Sequence, residues 1–141
     1  LPPRWSPPVA DAPISQPFGR PNPRYAAGYH TGVDFAVPVG TPVLAVARAT
    51  VRVAGPGGEY GKEIKLILPD GKIALYAHLS RIGVHPGEQV APGERLGASG
   101  DTGNSTGPHL HFEIRTTDAY GAVIDPLPYL LAHGAPVATV P

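Results

Sequence analysis

The apolar positions of the chain fall into short runs that are separated by turn residues. β-Branched and aliphatic residues cluster at 43–46, 49–54, 63–68, 73–79, 89–90, 95–98 and 110–114. Such runs, with Gly and Pro clusters between them, are typical of an all-β fold. Pro69-Asp70-Gly71, between two of the runs, is the strongest hairpin signal in the chain. We therefore predict an antiparallel, sandwich-like β-sheet core.

One short helix is predicted near the end of the chain, over residues 126–132. Asp125 precedes this stretch and is a good N-cap, because its side chain accepts hydrogen bonds from the free amides of the first turn. Pro126 suits the first helical position, where an N–H group would have no intrahelical partner. Gly134 lies where a helix of this length needs a C-terminal cap. The predicted fold is therefore all-β with a single C-terminal helix.

The prolines also predict how the chain is organised into segments. Five of them fall within residues 1–13, before any periodic segment. Because each proline fixes φ and removes a hydrogen-bond donor, we expect an extended lead-in or linker there. One domain is then expected over residues 14–133, followed by a short tail over 134–141. The chain begins with Leu1 and contains no methionine, which favours a processed or excised piece of a longer protein.

Composition excludes several classes of protein. The 141 residues include 11 Lys plus Arg and 11 Asp plus Glu, so no net charge attracts nucleic acid or anionic lipid. The 18 Gly and 19 Pro raise the prospect of disorder, but a hydrophobic fraction of 42% favours a folded core. The absence of cysteine excludes disulfides and thiolate metal sites. No apolar run approaches the roughly 18 residues of a membrane-spanning helix.

Two histidines and a carboxylate alternate along one predicted strand. In the stretch HLHFEI, alternation places His109, His111 and Glu113 on one face and three apolar residues on the other. A rise near 3.4 Å per residue spreads these polar groups over only about 14 Å. The residues alone leave open a metal site or a solvated polar face.

Further imidazoles come from other parts of the chain. His30 and Asp34 lie four residues apart, and a bend at Gly32 would bring imidazole and carboxylate together. His78 ends the strand that follows the predicted hairpin. Taken singly, these residues also fit a surface His–Asp pair and a strand histidine that is satisfied in the core or at a rim. Taken together, three imidazoles and one carboxylate from separate strands match the ligand preference of Zn²⁺, with one histidine left for proton transfer. The spacing alone does not assign these roles.

Three segments, in this order, resemble the M23 family of zinc metallopeptidases, which are lysostaphin-like endopeptidases of bacterial cell walls. They are residues 28–36 (GYHTGVDFA), 76–80 (YAHLS) and 103–113 (GNSTGPHLHFE). The resemblance extends over residues 14–131. It implies an antiparallel β-sheet with a substrate groove across it.

The resemblance also implies a role for each motif residue. His30, Asp34 and His111 would bind one Zn²⁺ per chain. His78 and His109 would be the catalytic pair that does not bind the metal, and either could be the general base. In such sites zinc lowers the pKa of its bound water to about 7, and an imidazole stabilises the oxyanion or relays the proton.

Other residues near these motifs have weaker assignments. Glu113 would accept a hydrogen bond from the far ring nitrogen of a zinc ligand, or it is a solvated carboxylate at a strand end. Tyr25 and Tyr29 would reach the groove and donate to an oxyanion, or they pack at its rim. His85 lies in a predicted turn and His133 ends the helix, so neither is expected to bind metal.

The implied function is hydrolysis of peptide bonds in the stem or cross-bridge peptides of peptidoglycan. We expect a secreted monomer that acts at the cell wall, or a phage lysin that does so. Residues 18–25 (FGRPNPRY) depart from the family's FGxR pattern, which changes one groove wall and leaves the cleaved bond open.

Two other functions compete with this one. The first is a non-catalytic M23-like module that binds or regulates wall hydrolases, and the presence of all five motif residues favours an enzyme over it. The second is a carbohydrate-binding β-domain, which an aromatic content of 7% disfavours because such domains need aromatic side chains along a groove.

Overall fold

The structure is a computed structural model that describes residues 5–137. A 3-10 turn at Gly58–Tyr60 separates two of its strands. In chain order the elements are β1 (Ile14–Gln16), β2 (Val33–Phe35), β3 (Pro42–Leu44), β4 (Ala49–Pro56), β5 (Lys62–Ile67), β6 (Ile73–Ile82), β7 (Gln89–Val90), β8 (Arg95–Ser99), β9 (Leu110–Arg115), β10 (Val123–Ile124) and α1 (Pro126–Ala132). Each predicted run overlaps a strand, and the helix has its predicted bounds, so the all-β prediction is confirmed.

The described strands join in one sheet in which every pairing is antiparallel. The main order is β1-β2-β9-β6-β5-β4-β7, while β10 pairs with β9 and β8 joins β3 to β6. The Pro69-Asp70-Gly71 turn connects β5 to β6 as predicted. The Leu68 N–H donates a hydrogen bond across this turn to the carbonyl of Lys72 at 2.8 Å. Strand β9 therefore lies between β2 and β6, which carry other candidate site residues.

Strand β9 separates the hydrophobic core from the polar face of the sheet. Leu110, Phe112 and Ile114 are fully buried in the core, as the alternation predicts. Phe112 packs edge-on against Tyr76 of β6, with ring centroids 5.0 Å apart. The Tyr76 hydroxyl accepts a hydrogen bond from the Val46 N–H at 3.1 Å. Each such fully buried apolar side chain contributes roughly 1.5–3 kcal/mol, so the core holds the opposite face of β9 in a fixed position.

A bulge in β6 determines which face His78 occupies. Lys62 of β5 pairs with Leu79. Two residues further along β5, Ile64 pairs with Tyr76, which is three residues back along β6. His78 has φ 61°, in the left-handed region that L residues rarely adopt. Strict alternation would point His78 into the core with Tyr76, but Leu79 takes the core position instead. The bulge therefore turns His78 to the polar face.

Helix α1 closes one end of the core. Asp125 is its N-cap, and the carboxylate accepts a hydrogen bond from the Leu127 N–H at 3.1 Å. Leu130 of this helix is fully buried, and the Tyr129 hydroxyl donates to Asp70 of the β5–β6 turn at 2.8 Å. The helix thus packs on the sheet through one apolar face. Among residues 5–137, no helix combines the length and apolarity that crossing a membrane requires.

Residues 5–13 pack against the domain. Val9 and Ala12 are 1% and 6% exposed and belong to the hydrophobic core. The sequence predicted a lead-in or linker over 1–13, of which residues 1–4 lie outside the described part of the chain. The described part is irregular, as expected from its prolines, but its apolar side chains bury against the sheet. The packed core therefore begins before residue 14.

The two ends of the described chain meet at the helix. Trp5 stacks on His133, with ring centroids 4.0 Å apart and an interplanar angle of 20°. Ala135 is 1% exposed and belongs to the core. The tail expected over 134–141 therefore begins inside the packed domain, while residues 138–141 lie outside the described range.

Candidate active site

Pairing between β2 and β9 brings two motif residues together. Asp34 lies directly opposite His111 in the antiparallel register. Val33 and Phe35, on either side of Asp34, are buried in the core. Alternation therefore points Asp34 to the polar face, on which His111 also lies. Two segments that are 77 residues apart in the chain thus contribute to one site.

His30, Asp34 and His111 form a compact, buried group. Asp34 Oδ1 lies 3.1 Å from His30 Nε2 and 2.8 Å from His111 Nδ1. One donor atom from each of the three residues lies within 4.8 Å of the others, which is the separation that ligands of a single metal ion require. The other ring nitrogen of His30, Nδ1, lies 3.0 Å from the carbonyl of Pro17. The sequence-predicted ligand set therefore comes together.

Gly32 allows the bend between His30 and Asp34. A Cβ atom at this position would overlap the carbonyl oxygen of Phe112 and approach within 3.0 Å of His111 Cε1. The backbone of this loop must therefore pass so close to β9 that only glycine fits. The bend anticipated at this residue is present.

Glu113 is a buried carboxylate whose four close side-chain partners are all donors in this arrangement. Its Oε2 lies 2.8 Å from His111 Nε2 and accepts the hydroxyls of Thr31 and Tyr60, each at 2.7 Å. Its Oε1 accepts Arg115 Nε at 2.7 Å. Burial would raise the pKa of Glu113, but these partners, His111 above all, lower that pKa to about 2. Glu113 is therefore not the solvated carboxylate of the alternative interpretation.

Two carboxylates act on the same imidazole. Burial alone would lower the pKa of His111, but hydrogen bonds to Asp34 and Glu113 outweigh it and raise this pKa to about 9. Burial would likewise raise the pKa of Asp34, whereas hydrogen bonds from His111 and His30 hold it well below its usual range. The site therefore favours positive charge at its centre, whether carried by a proton or by a metal ion.

His78 and His109 lie beside this group. Their ring centroids are 4.9 Å apart, and the His78 ring is 6.1 Å from that of His111. His78 Nδ1 lies 2.7 Å from the Thr102 carbonyl. Burial lowers the pKa of His78, although this hydrogen bond opposes the effect. The left-handed backbone of His78 costs roughly 1–3 kcal/mol, and such strain is concentrated at functional sites.

His109 is held in the same manner as His78. Its Nδ1 lies 2.8 Å from the carbonyl of Gly107, and its Nε2 lies 3.8 Å from Asp34 Oδ2. A single bridge to Gly100 fixes its backbone just before β9 begins. In both histidines Nδ1 therefore donates to a backbone carbonyl, which leaves Nε2 without a proton in the neutral ring.

The two candidate tyrosines occupy different positions. The Tyr25 ring lies 5.6 Å from that of His30, and the side chain is partly exposed. Burial, and the nearby Asp34 carboxylate, raise the pKa of Tyr25, which keeps its hydroxyl protonated. Tyr29 instead packs edge-on against Phe18 at 6.0 Å. The structure thus brings Tyr25 to the site, while Tyr29 lies in the loop behind it.

Several residues of the site were not predicted from the sequence. Thr31, Tyr60 and Arg115 surround Glu113, and Thr102 contacts His78. Alternation could have identified Arg115, which lies two residues beyond Glu113 on the same face. Tyr60 follows a Gly-Gly turn and carries no comparable signal.

The remaining two histidines lie elsewhere, as expected. His85 is exposed in the turn before β7, and its N–H bonds the Glu88 side chain at 2.8 Å. His133 caps α1 beneath Trp5. Neither residue is near the buried group at Asp34.

Two imidazoles and a carboxylate that converge beside two further imidazoles are the kind of arrangement that a metal-dependent hydrolase uses. The model of peptidase family M23 matches residues 28–126, which contain all five motif residues. The chain therefore belongs to peptidase family M23. Because M23 is a family of metallopeptidases, membership of this family implies a metal ion.

Similar proteins agree with this assignment. The DD-carboxypeptidase/endopeptidase Mpg of Neisseria meningitidis is 45% identical over 104 residues, which are 72% of this chain and 24% of that protein. The glycyl-glycine endopeptidase ALE-1 of Staphylococcus capitis is 43% identical over 113 residues, which are 76% of this chain and 30% of that protein. The matched part of the chain thus spans only 24% and 30% of the length of these curated relatives.

The fold also matches a solved structure. The catalytic domain of the antimicrobial peptidase lysostaphin from Staphylococcus simulans superimposes with a TM-score of 0.81 at 35% sequence identity. The match covers 86% of this chain and 93% of that domain. The described residues therefore form an M23 catalytic-domain fold.

Proposed function

We propose that this domain is a zinc-dependent endopeptidase that hydrolyses peptide bonds in the stem or cross-bridge peptides of bacterial peptidoglycan. The observation that carries the proposal is the convergence of His30, Asp34 and His111 beside the paired rings of His78 and His109. Relatives named as endopeptidases, one of them as a glycyl-glycine endopeptidase, support a peptide substrate. We further propose that the domain is secreted and acts at the cell wall as a monomer.

The donor atoms suit one zinc ion. His30 Nδ1 and His111 Nε2 are occupied by the Pro17 carbonyl and the Glu113 carboxylate. This leaves His30 Nε2 and His111 Nδ1 to face the ion together with an Asp34 oxygen. Two nitrogens and one oxygen are ligands that zinc prefers at catalytic sites, where it takes three protein ligands.

When bound, zinc would supply Lewis-acid chemistry, activating water and polarising the scissile carbonyl. His78 and His109 would move the protons through Nε2, because Nδ1 of each ring donates to a backbone carbonyl. One Nε2 would accept a proton from the attacking water, and an imidazolium of the pair would return it to the leaving amine. The lowered pKa of His78 favours a neutral ring that can accept a proton near neutral pH.

Other side chains would orient these groups. Glu113 would fix the ring of His111 and the tautomer in which Nδ1 faces the metal. Tyr25 would donate a hydrogen bond to the developing oxyanion from beside His30, in keeping with its partly exposed, protonated hydroxyl. Tyr29 would shape the same wall of the groove through its contact with Phe18.

Metal analysis combined with digestion of defined substrates tests the proposal. Purified peptidoglycans that differ in cross-bridge chemistry would be digested and the products identified by mass spectrometry, together with the zinc content of the protein. We expect one zinc per chain, loss of zinc and activity in His111→Ala, and retained zinc with lost activity in His78→Ala.

A matched control comes from a histidine outside the site. His85 is exposed and lies in a turn, so His85→Ala should retain both zinc and activity. A wild-type protein that binds zinc but cleaves no peptide bond in any of these peptidoglycans would contradict the proposal. That result would favour a non-catalytic binding module.

A further inference from the structure

The 101–108 loop, between β8 and β9, supplies the acceptors for both non-ligand imidazoles. The carbonyl of Thr102 lies 2.7 Å from His78 Nδ1, and the carbonyl of Gly107 lies 2.8 Å from His109 Nδ1. A backbone carbonyl accepts and never donates, so each contact specifies a ring with its proton on Nδ1. The conformation of one loop therefore sets the tautomer of two histidines.

The Thr102 side chain fixes this loop on the sheet. Its hydroxyl donates to the carbonyl of Leu79 at 2.7 Å, immediately after His78 in the β6 bulge. The same oxygen accepts the N–H of Lys62 at 3.1 Å, at the start of β5. The hydroxyl thus connects the loop to both strands at the place where their pairing is irregular. No apolar side chain could make these two hydrogen bonds.

Close backbone contacts hold the same part of the loop. A Cβ atom at Gly61, where φ is 65°, would overlap Thr102, and one at Gly103 would overlap Gly61. The N–H of Asn104 donates to the carbonyl of Glu59 at 2.8 Å. The loop therefore packs closely against the 3-10 turn at Gly58–Tyr60. This packing fixes the orientation of the Thr102 carbonyl.

We propose, on the basis of the endopeptidase function above, that Thr102 is a positioning residue that orients His78 and sets its tautomer. The hydroxyl holds the loop to Leu79 and Lys62, and the carbonyl then receives His78 Nδ1–H. His78 has a strained backbone, so its ring depends on this contact to face the site with Nε2.

Two substitutions separate the hydroxyl from the shape of the side chain. Thr102→Ser keeps the hydroxyl, whereas Thr102→Val keeps the volume and removes it. Thr41→Val is the matched control, because the Thr41 hydroxyl also donates to a backbone carbonyl at 2.7 Å, that of Pro38, in the loop between β2 and β3. All variants would be prepared with bound zinc and compared with the wild type by thermal melting.

The first measurement is the ¹⁵N NMR signature of the His78 ring, assigned with His78→Gln. The wild type and Thr102→Ser should show a proton on Nδ1, while Thr102→Val should show a mixture of tautomers or a broadened resonance. The Thr41→Val spectrum should match the wild type. A wild-type His78 with its proton on Nε2 would overturn the proposal whether or not any variant folds.

The second measurement is steady-state cleavage of the wall peptide that the wild type hydrolyses. Thr102→Val should lose about tenfold or more in kcat with KM nearly unchanged, which is part of the roughly 10²–10⁴-fold that a complete general acid–base group contributes. Thr102→Ser should restore most of this loss. Equal kcat in Thr102→Val and the wild type, or an equal loss in Thr41→Val, would overturn the proposal.

The outcomes distinguish this role from the function on which it rests. If the wild type cleaves no wall peptide, the proposed function fails, while the ring spectrum still decides the role of Thr102. If Thr102→Val does not fold, Thr102→Ala takes its place, since it leaves room for a water but supplies no hydroxyl, and the same two results are expected.

Discussion

Replacement of Glu113 by glutamine tests how much this buried carboxylate contributes to stability and to zinc binding at the proposed metal site. All four of its close side-chain partners present donors, and two of them, Arg115 Nε and a protonated His111 Nε2, cannot accept a hydrogen bond. The amide of glutamine would turn a donor toward one of these groups. Arg115 is 3% exposed, so its charge would lose its buried counterion.

The cost of this change follows from burial. Breaking a buried ion pair costs roughly 3–5 kcal/mol, and the isosteric amide keeps the shape, so we expect about 3 kcal/mol for Glu113→Gln. For a chain of this length that loss lowers the melting temperature by roughly 10 °C. Because Glu113 also orients His111, zinc affinity should fall by about 10–100-fold.

Chemical denaturation of the metal-free protein gives the stability loss, and competition with a chelator gives the zinc affinity. Asp118→Asn is the matched control, because the Asp118 carboxylate pairs with Lys65 at 2.9 Å but is 40% exposed. An exposed pair of this kind contributes about 0–1 kcal/mol. If Glu113→Gln lowers the free energy of unfolding no more than Asp118→Asn does, the reasoning that burial makes the Glu113 ion pair strongly stabilising is refuted.

Three further predictions concern protonation, loop geometry and the helix cap. With its pKa raised to about 9, His111 should be protonated in metal-free protein at pH 7, and zinc binding should release about one proton in calorimetry across buffers of different ionisation enthalpy; no release would contradict this. Since that pKa lies above the unfolded value of about 6.5, the stabilisation should be full below about pH 6.5 and lost as pH rises through 9. Gly32→Ala should greatly reduce zinc binding, because its Cβ overlaps the Phe112 carbonyl, and unchanged affinity would count against the required bend. Asp125→Ala should cost about 1 kcal/mol in denaturant unfolding through the lost bond to Leu127 N–H, with activity unchanged.

Much of the fold and part of the site could be predicted from local pattern. Alternation in β9 correctly assigned Leu110 and Phe112 to the core and placed His111 on the opposite face. Asp125 and the following proline fixed the start of the helix. These features depend on neighbours close in sequence, which is why one sequence suffices to find them.

What could not be predicted depends on distant contacts and on irregular backbone. Simple alternation assigns His78 to the core, and only the pairing of β5 with β6 reveals the extra residue that reverses it. Tyr60 and Thr102 reach the site from turns whose paths depend on how closely glycines allow them to dock. The short strands β1 and β10 have three and two residues, too few to show a period.

The extra residue in β6 has a consequence for anyone who transplants or redesigns this catalytic centre. Copying the motif side chains onto a regular sheet would send one of them, His78, inward. A designer must therefore reproduce the irregular strand together with the loop that supports it. Regular pairing of the unchanged β6 sequence with β5, without the bulge, would do more harm than many substitutions, since it would exchange an imidazole for a leucine at the reactive surface.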